Sequence, residues 1–258
     1  MEIRNKLIWV TGASSGIGRA VCLKLASKGA DLVITARDQD RLAALKEELL
    51  PLGVSVLLAP GDVCDLERMK SIANEHSAID ILIANAGDYV PSEIDCFNSG
   101  QYKSLMDVNY GGLLHCMEAV IPEMIKRGSG VICGVSSVVG YRGIPKAAAY
   151  GASKAAMSYF LESARFDLEP HGIKVTVISP GFVKTPLTDK NEFKMPFLVS
   201  PEFAANKIVT GIENERLEIH FPWQLSWICK FFRVLPYRLY HFLLSKSPLV
   251  KKDYDTEK

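Results

Sequence analysis

The chain has 258 residues, 48% of them hydrophobic and 23% charged, which is ordinary globular composition and enough length to bury a large core without staples. A formal net charge of +1 gives no global electrostatic reason to expect a nucleic-acid partner. The six cysteines (Cys22, Cys64, Cys96, Cys116, Cys133 and Cys229) are widely spaced with no CxxC, so neither a bound metal nor a disulfide framework is expected.

The opening MEIRNKLIWVTG carries too short an apolar run for a signal peptide. No stretch reaches the roughly 18 uncharged apolar residues of a spanning helix, so the expected location is cytoplasmic and reducing. From here short apolar strands alternate with helices. KLIWVT (6–11) reads as a buried strand, and GIGRAVCLKLASKG (16–29) as a helix stopped at Gly29. DLVITA (31–36) is a strand; RLAALKEELLPLG (41–53) is a helix broken by Pro51 and Gly53. VSVLLAPGDV (54–63) and IDILIANAG (79–87) are strands on either side of a helix over 65–76. A long helix follows over 100–127, then a strand over 130–137, a helix over 148–168 and a strand over 173–181. Ser200 and Pro201 supply a cap and a first-turn proline for a helix over 200–215, and LEIHF (217–221) is the last strand. Strands of continuous Val, Ile and Leu are buried on both faces, as in a parallel sheet covered by helices. The expected fold is a single-domain, doubly wound (Rossmann) three-layer α/β sandwich with about seven parallel strands. Residues 1–221 form its dinucleotide-binding catalytic part; residues 222–258 are a basic, aromatic helical extension of the same domain.

VTGASSGIG (10–18) lies between the first strand and the first helix. Gly12, Gly16 and Gly18, with Ser14, Ser15 and Ile17 between them, allow a tight turn and close approach to a pyrophosphate, and the helix N-terminus offers free N–H groups. Where the second strand ends, an acid would bind a ribose 2′-hydroxyl; Ala36 and Arg37 stand there instead. A guanidinium suits a 2′-phosphate, which favours NADP(H) over NAD(H). The alternative is that Arg37 pairs with Asp38 or Asp40 on the surface. Tyr150 and Lys154, one helical turn apart, share a helix face. The ammonium would lower the phenol from its ordinary value near ~10 and suit it to acid–base work. By spacing alone they are equally an exposed surface pair.

With these motifs in order, the chain resembles the short-chain dehydrogenase/reductase family over about residues 5–221. The resemblance rests on TGASSGIG (11–18), DV (62–63), NAG (85–87), VN (108–109), SS (136–137), YGASK (150–154) and PGFVKT (180–185). It implies that Tyr150 exchanges a proton with a carbonyl or alcohol and that Lys154 tunes it and holds the nicotinamide ribose. It implies that Ser137, thirteen residues earlier, orients the carbonyl, while strand alternation turns Ser136 away. It implies that Asn109 holds a relay water; a polar residue at a helix irregularity beside Gly111 and Gly112 is the plainer reading. Asp62 and Val63 would contact adenine, and Asn85, Ala86 and Gly87 the cofactor ribose, with a backbone-bonding role equally open for Asn85. Pro180, Gly181, Val183 and Thr185 would turn over the nicotinamide. The resemblance also implies a homodimer or homotetramer through the helices at 100–127 and 148–168. The function expected is NADP(H)-dependent interconversion of a carbonyl and an alcohol; the alternative is a non-catalytic NADP(H)-binding sensor or scaffold on the same fold.

The substrate is less legible. Residues 184–203 carry Phe193, Met195, Phe197, Leu198 and Val199, either a lid over a lipophilic small-molecule substrate or side chains packed on the core. Residues 222–252 combine Trp223, Trp227, Phe231, Phe232, Tyr237, Tyr240 and Phe242 with Lys230, Arg233, Arg238, Lys246, Lys251 and Lys252, and hold no Asp or Glu. That composition suits an interfacial helix, split in two by Pro236, touching a membrane surface; packing over the pocket or a subunit boundary is the alternative.

Overall fold

Seven parallel strands in the order β3-β2-β1-β4-β5-β6-β7 form one sheet, in a computed structural model that describes residues 1–76, 78–91, 94–191 and 193–246. The strands are β1 (Leu7–Thr11), β2 (Asp31–Thr35), β3 (Val56–Leu58), β4 (Ile81–Ala84), β5 (Gly130–Val135), β6 (Ile173–Pro180) and β7 (Glu218–Phe221). The helices are α1 (Gly16–Ala26), α2 (Gln39–Leu49), α3 (Leu66–Glu75), α4 (Ser99–Met106), α5 (Gly112–Arg127), α6 (Ala148–Leu168), α7 (Pro201–Glu213), α8 (Trp223–Val234) and α9 (Tyr237–Ser245). The doubly wound expectation holds, and its layers follow from strand alternation. Ile8, Val10, Leu32 and Ile34 face α1, α2 and α7, where Val21, Leu25, Leu45 and Ile208 meet them. Trp9, Val33, Leu82 and Ile132 face the other way, onto Met69, Met117, Val120 and Leu161 of α3, α5 and α6. Each strand thus feeds two cores, which is why its sequence is apolar throughout.

Several boundaries differ from the sequence reading. β3 is three residues long, since Pro60 and Gly61 follow it closely, and β4 ends before Asn85. α2 starts two residues earlier because Asp38 accepts the Arg41 N–H and caps it. Ser200 caps α7 as expected, accepting from the Phe203 N–H at 3.2 Å. The long helix predicted over 100–127 is two helices joined by a π-helical turn, Asp107–Gly111, whose wider loop closes with the Gly112 N–H on the Asp107 carbonyl. Asn109 sits in that turn.

The predicted split of the tail at Pro236 is observed: α8 packs beside β7, and α9 follows, held through Tyr240 to the Gly143 carbonyl. Lys251 and Lys252 of the predicted tail, Glu192 of the predicted lid and the Cys96 side chain lie outside the described residues. Cys22, Cys64, Cys116, Cys133 and Cys229 are free thiols. Among the described residues, no helix is long and apolar enough to cross a membrane.

Candidate active site

Strand order reverses between β1 and β4, and at their C-terminal ends lies a cavity of about 540 Å³. Doubly wound sheets open such a crevice at the reversal because successive connections leave in opposite directions. The β1–α1 loop forms one wall. Gly12 (φ +65°) and Gly16 (φ +53°) occupy left-handed backbone that glycine alone adopts freely. Ser15 stands at the N-cap of α1, its side chain makes no cap bond, and the first turn holds no acid. With Ser14, Gly16 and Ile17 it lines the cavity, so the free N–H groups of a helix start face a space fit for an anion. Gly18 does not line the cavity. It lies behind the loop, where a Cβ would overlap the Gly12 carbonyl oxygen and stand 2.5 Å from Asn85 Nδ2.

Of the two roles open to Asn85, bonding to neighbouring backbone is the one seen. Its Nδ2 donates to the Thr11 and Gly12 carbonyls at 2.9 and 3.2 Å, while Thr11 Oγ1 accepts the Asn85 and Ala86 N–H groups. Asn85, Ala86 and Gly87 still line the cavity. At the far end stand Arg37, Asp62 and Val63. Asp62 accepts the Cys64 N–H at 2.9 Å; Val63 is buried against Gly112, where any Cβ would sit 2.6 Å from Val63 Cγ2. Of the two anticipated competitors for Arg37, Asp38 pairs with Arg41 at 3.1 Å, and Asp40 makes no ion pair with Arg37. Among the described residues Arg37 makes no ion pair. Arg41, which sequence reasoning missed, lines the same end of the cavity.

At the other end β5, β6 and α6 converge. Ser137, just beyond β5, donates its hydroxyl to the Pro180 carbonyl at 3.2 Å and lines the cavity with Tyr150. Ser136 points the opposite way, donating to the Lys154 carbonyl at 2.7 Å and meeting Ser158 Oγ at 2.7 Å, so it fixes α6 against β5. Lys154 is buried; its Nζ donates to the Val135 carbonyl at 2.8 Å and lies 5.7 Å from the Tyr150 ring centroid. Asn109 is fully buried and outside the cavity wall. It accepts the Asp88 N–H at 2.8 Å and donates to the Asp88 carbonyl and to Ser153 Oγ, at 3.1 and 2.9 Å. Ser153 in turn bonds the Tyr150 carbonyl at 2.8 Å, so the π turn holds α6 by the residues between the tyrosine and the lysine. With both amide hydrogens used, the side chain keeps only the second lone pair of Oδ1 for a relay water.

One expectation is corrected. The lysine was to lower the phenol; here burial pushes Tyr150 up to about 12, with the neighbouring Ser137 hydroxyl acting the other way. Burial also drives Lys154 down to about 7. A lysine pushed toward neutrality by desolvation has little charge to lend its neighbour. Between about 7 and its ordinary 10.5 the folded lysine binds fewer protons than the unfolded one, so stability should rise with pH across that window. Lys154→Met removes the effect. Urea midpoints should favour the variant most below pH 7, with the gap closing toward pH 10.5; a gap independent of pH would refute this linkage.

The cavity is partly covered by the chain after β6. Pro180, Gly181, Val183 and Thr185 line it, and a parallel bridge between Val183 and Val199 closes the loop. Thr188 Oγ1 lies 2.7 Å from the Val183 carbonyl and accepts the Thr185 N–H at 2.9 Å. Lys190 Nζ reaches across to Asp88 Oδ1 at 3.0 Å and the Tyr89 carbonyl at 2.7 Å, while the Tyr89 ring meets the Tyr150 ring edge-on at 5.2 Å. Asp88, Tyr89, Thr188 and Lys190 were missed, and no local signal marks contacts spanning about a hundred residues. Phe193, Phe197 and Leu198 are exposed, while Val199 packs against the core and Met195 is half-buried, so core packing describes only part of this segment.

A family model described as short chain dehydrogenase matches residues 6–195. An uncharacterized oxidoreductase of Myxococcus xanthus (strain DK1622) is 38% identical over 93% of this chain and 96% of its own length. A protein of Arabidopsis thaliana named 11-beta-hydroxysteroid dehydrogenase-like 2 is 33% identical over 98% of this chain and 86% of its own. A solved structure of a short-chain dehydrogenase from Sphingobium yanoikuyae in complex with NADPH is 26% identical, with a TM-score of 0.80, covering 96% of this chain and 98% of that one.

Proposed function

This chain belongs to the short-chain dehydrogenase family and is an NAD(P)-dependent oxidoreductase acting on CH–OH groups; we propose that it interconverts a lipophilic ketone or aldehyde and its alcohol, with NADP(H) preferred. The observation carrying the reading is that Ser137, Tyr150 and Lys154 meet at one end of a crevice whose other end is the glycine loop and Arg37. The crevice suits a dinucleotide. Gly12, Ser14, Ser15, Gly16 and Ile17 would cradle the pyrophosphate, Asp62 and Val63 the adenine, and Ala86, Gly87 and Lys154 the nicotinamide ribose. Pro180, Gly181, Val183 and Thr185 would sit over the nicotinamide, with Gly18 and Asn85 holding the cradle from behind. A bound nicotinamide supplies or takes up the hydride.

The remaining chemistry falls to side chains. The Ser137 hydroxyl aligns the substrate oxygen and stabilises developing negative charge. Tyr150 gives that oxygen its proton in reduction and removes it in oxidation. Lys154 replenishes the tyrosine proton, and a water held at Asn109 links the lysine to solvent. A sensor that only binds cofactor would need neither Ser137 nor Tyr150 gathered beside Lys154 at the cavity wall. The test is loss of reduced-nicotinamide absorbance when purified protein is given NADPH with lipophilic ketones, 3-oxoacyl thioesters and steroids. Cofactor binding without turnover of any of them would favour the sensor. The exposed aromatic lid supports the lipophilic class, as does the name of the Arabidopsis relative.

The NADP(H) preference rests on Arg37, which has no ion pair among the described residues, with Arg41 beside it. The Sphingobium enzyme, solved with NADPH, is in keeping with it. A charge-assisted contact to the 2′-phosphate implies that Arg37→Ala lowers kcat/KM for NADPH by about 10- to 100-fold while sparing NADH. Equal use of both cofactors by the wild type would remove this role. The exposed Tyr159 and Phe166 on α6 support a homodimer or homotetramer through that helix.

A further inference from the structure

Helix α8 is amphipathic in the reverse sense. Trp223, Trp227, Phe231 and Val234, spaced four, four and three apart, form one stripe along it. They are 66%, 60%, 58% and 76% exposed. An ordinary surface helix turns such a stripe to the core. Here the opposite side does the packing. Ser226 is buried and bonds the Pro222 carbonyl at 2.9 Å, Leu225 leans on Gly181, and the Phe232 ring meets the Tyr240 ring at 6.0 Å.

The stripe is held outward by a fixed frame. Lys230 pairs with Glu218 of β7 at 2.6 Å, and Glu218 also takes the Tyr141 hydroxyl. Arg142 Nη1 donates to the Phe232 and Leu235 carbonyls at 2.5 and 2.6 Å, capping the end of α8, and its guanidinium lies 3.9 Å from the Tyr240 ring centroid. The charge carried by the tail itself has one sign. Residues 222–246 contain no Asp or Glu, and among the described residues Arg233, Arg238 and Lys246 make no ion pair.

We infer that α8 and α9 dock on an anionic lipid bilayer. Trp223, Trp227, Phe231 and Val234 enter the boundary between headgroups and acyl chains, and Arg233, Arg238 and Lys246 meet the acidic headgroups. Rings that are apolar in body and polar at one edge, as tryptophan's is, suit that depth. A second copy is the poorer occupant: a two-fold contact places the same patch against itself, setting unpaired cations against unpaired cations. Leu225, across the helix from the stripe, touches Gly181 of the cavity wall, so docking would bring the cavity within about one helix diameter, ~10 Å, of the lipid. Docking does not depend on the reaction proposed above; the short path it would give a lipophilic substrate does.

The test is flotation with vesicles of equal parts phosphatidylserine and phosphatidylcholine at low salt. The wild type should float, and binding should fall about tenfold or more on phosphatidylcholine alone, at high salt, or in the double variant Arg238→Glu with Lys246→Glu. Trp223→Ala, Trp227→Ala and Phe231→Ala combined should lower binding by a similar factor or more, at unchanged circular dichroism and melting temperature. A wild type that stays with the soluble fraction at low salt overturns the inference and leaves the stripe to a protein partner. So does a triple variant that floats as well as the wild type. A triple variant whose sedimentation mass falls in the absence of vesicles overturns it too, by showing the stripe to be a contact between copies. None of these readouts involves turnover, so they stand whatever the substrate screen shows.

Discussion

Tyr150→Phe should lower kcat by about three orders of magnitude, within the range general acid–base groups contribute, and leave cofactor binding near wild type. The substitution removes one oxygen and keeps the ring that packs against Tyr89. What it deletes is the proton held beside Ser137 at the cavity wall. Burial keeps that phenol protonated through neutral pH, so it stands ready as the donor for carbonyl reduction. Oxidation of the alcohol needs the phenolate, whose formation becomes easier as pH rises. The reductive rate should therefore be flat through neutral pH and the oxidative rate should climb. Rates are read by nicotinamide absorbance in both directions, and cofactor affinity by fluorescence titration. Undiminished turnover in the Phe variant would discard the assigned mechanism.

The second large effect is expected at a residue that touches no ligand. Gly18→Ala would drive a Cβ into the Gly12 carbonyl oxygen and to 2.5 Å from Asn85 Nδ2. Neither neighbour is free to give way. Gly12 is held by its left-handed backbone and by Asn85, whose amide bonds both the Thr11 and Gly12 carbonyls. Overpacking of this kind costs about 1–3 kcal/mol, and displacement of the loop should weaken NADPH binding about a hundredfold. Gly143→Ala is the matched control, since a Cβ there meets nothing within 4 Å. The pair is compared by thermal melting and cofactor titration. Normal NADPH affinity in Gly18→Ala would show that the loop does not depend on this close approach.

Much of the architecture is legible because it is local. Apolar strands and capped helices announce themselves within ten residues, and all seven strands lie where the pattern puts them. The strand ends are less legible: at Pro60, Gly61 and Asn85 the chain must leave the sheet, and alternation does not see that. The glycine loop, Ser137, Tyr150 and Lys154 were readable as motifs. Their environment was not. Whether Lys154 carries its charge depends on how deeply β5 and α6 bury it, and no spacing encodes that. The same holds for Lys190 on Asp88, and for Arg142, which reaches about ninety residues to close α8. Contacts of that kind are decided by the packing of elements whose order in space differs from their order in the chain.

The π turn at Asp107–Gly111 carries a consequence for how this chain can change. Such a turn holds one residue more than its α-helical equivalent. Losing that residue within the turn would restore a regular α-helix and leave both flanks in register, with Leu113, Met117, Val120 and Met124 still turned to the core. The loss would fall on the turn itself, where Asn109 reaches Asp88 and Ser153. A deletion elsewhere in α5 has no bulge to absorb it and would rotate every later residue of the helix by about 100°. The turn is thus the one place in this span where the chain can shed a residue and keep its core, at the expense of the hold on α6.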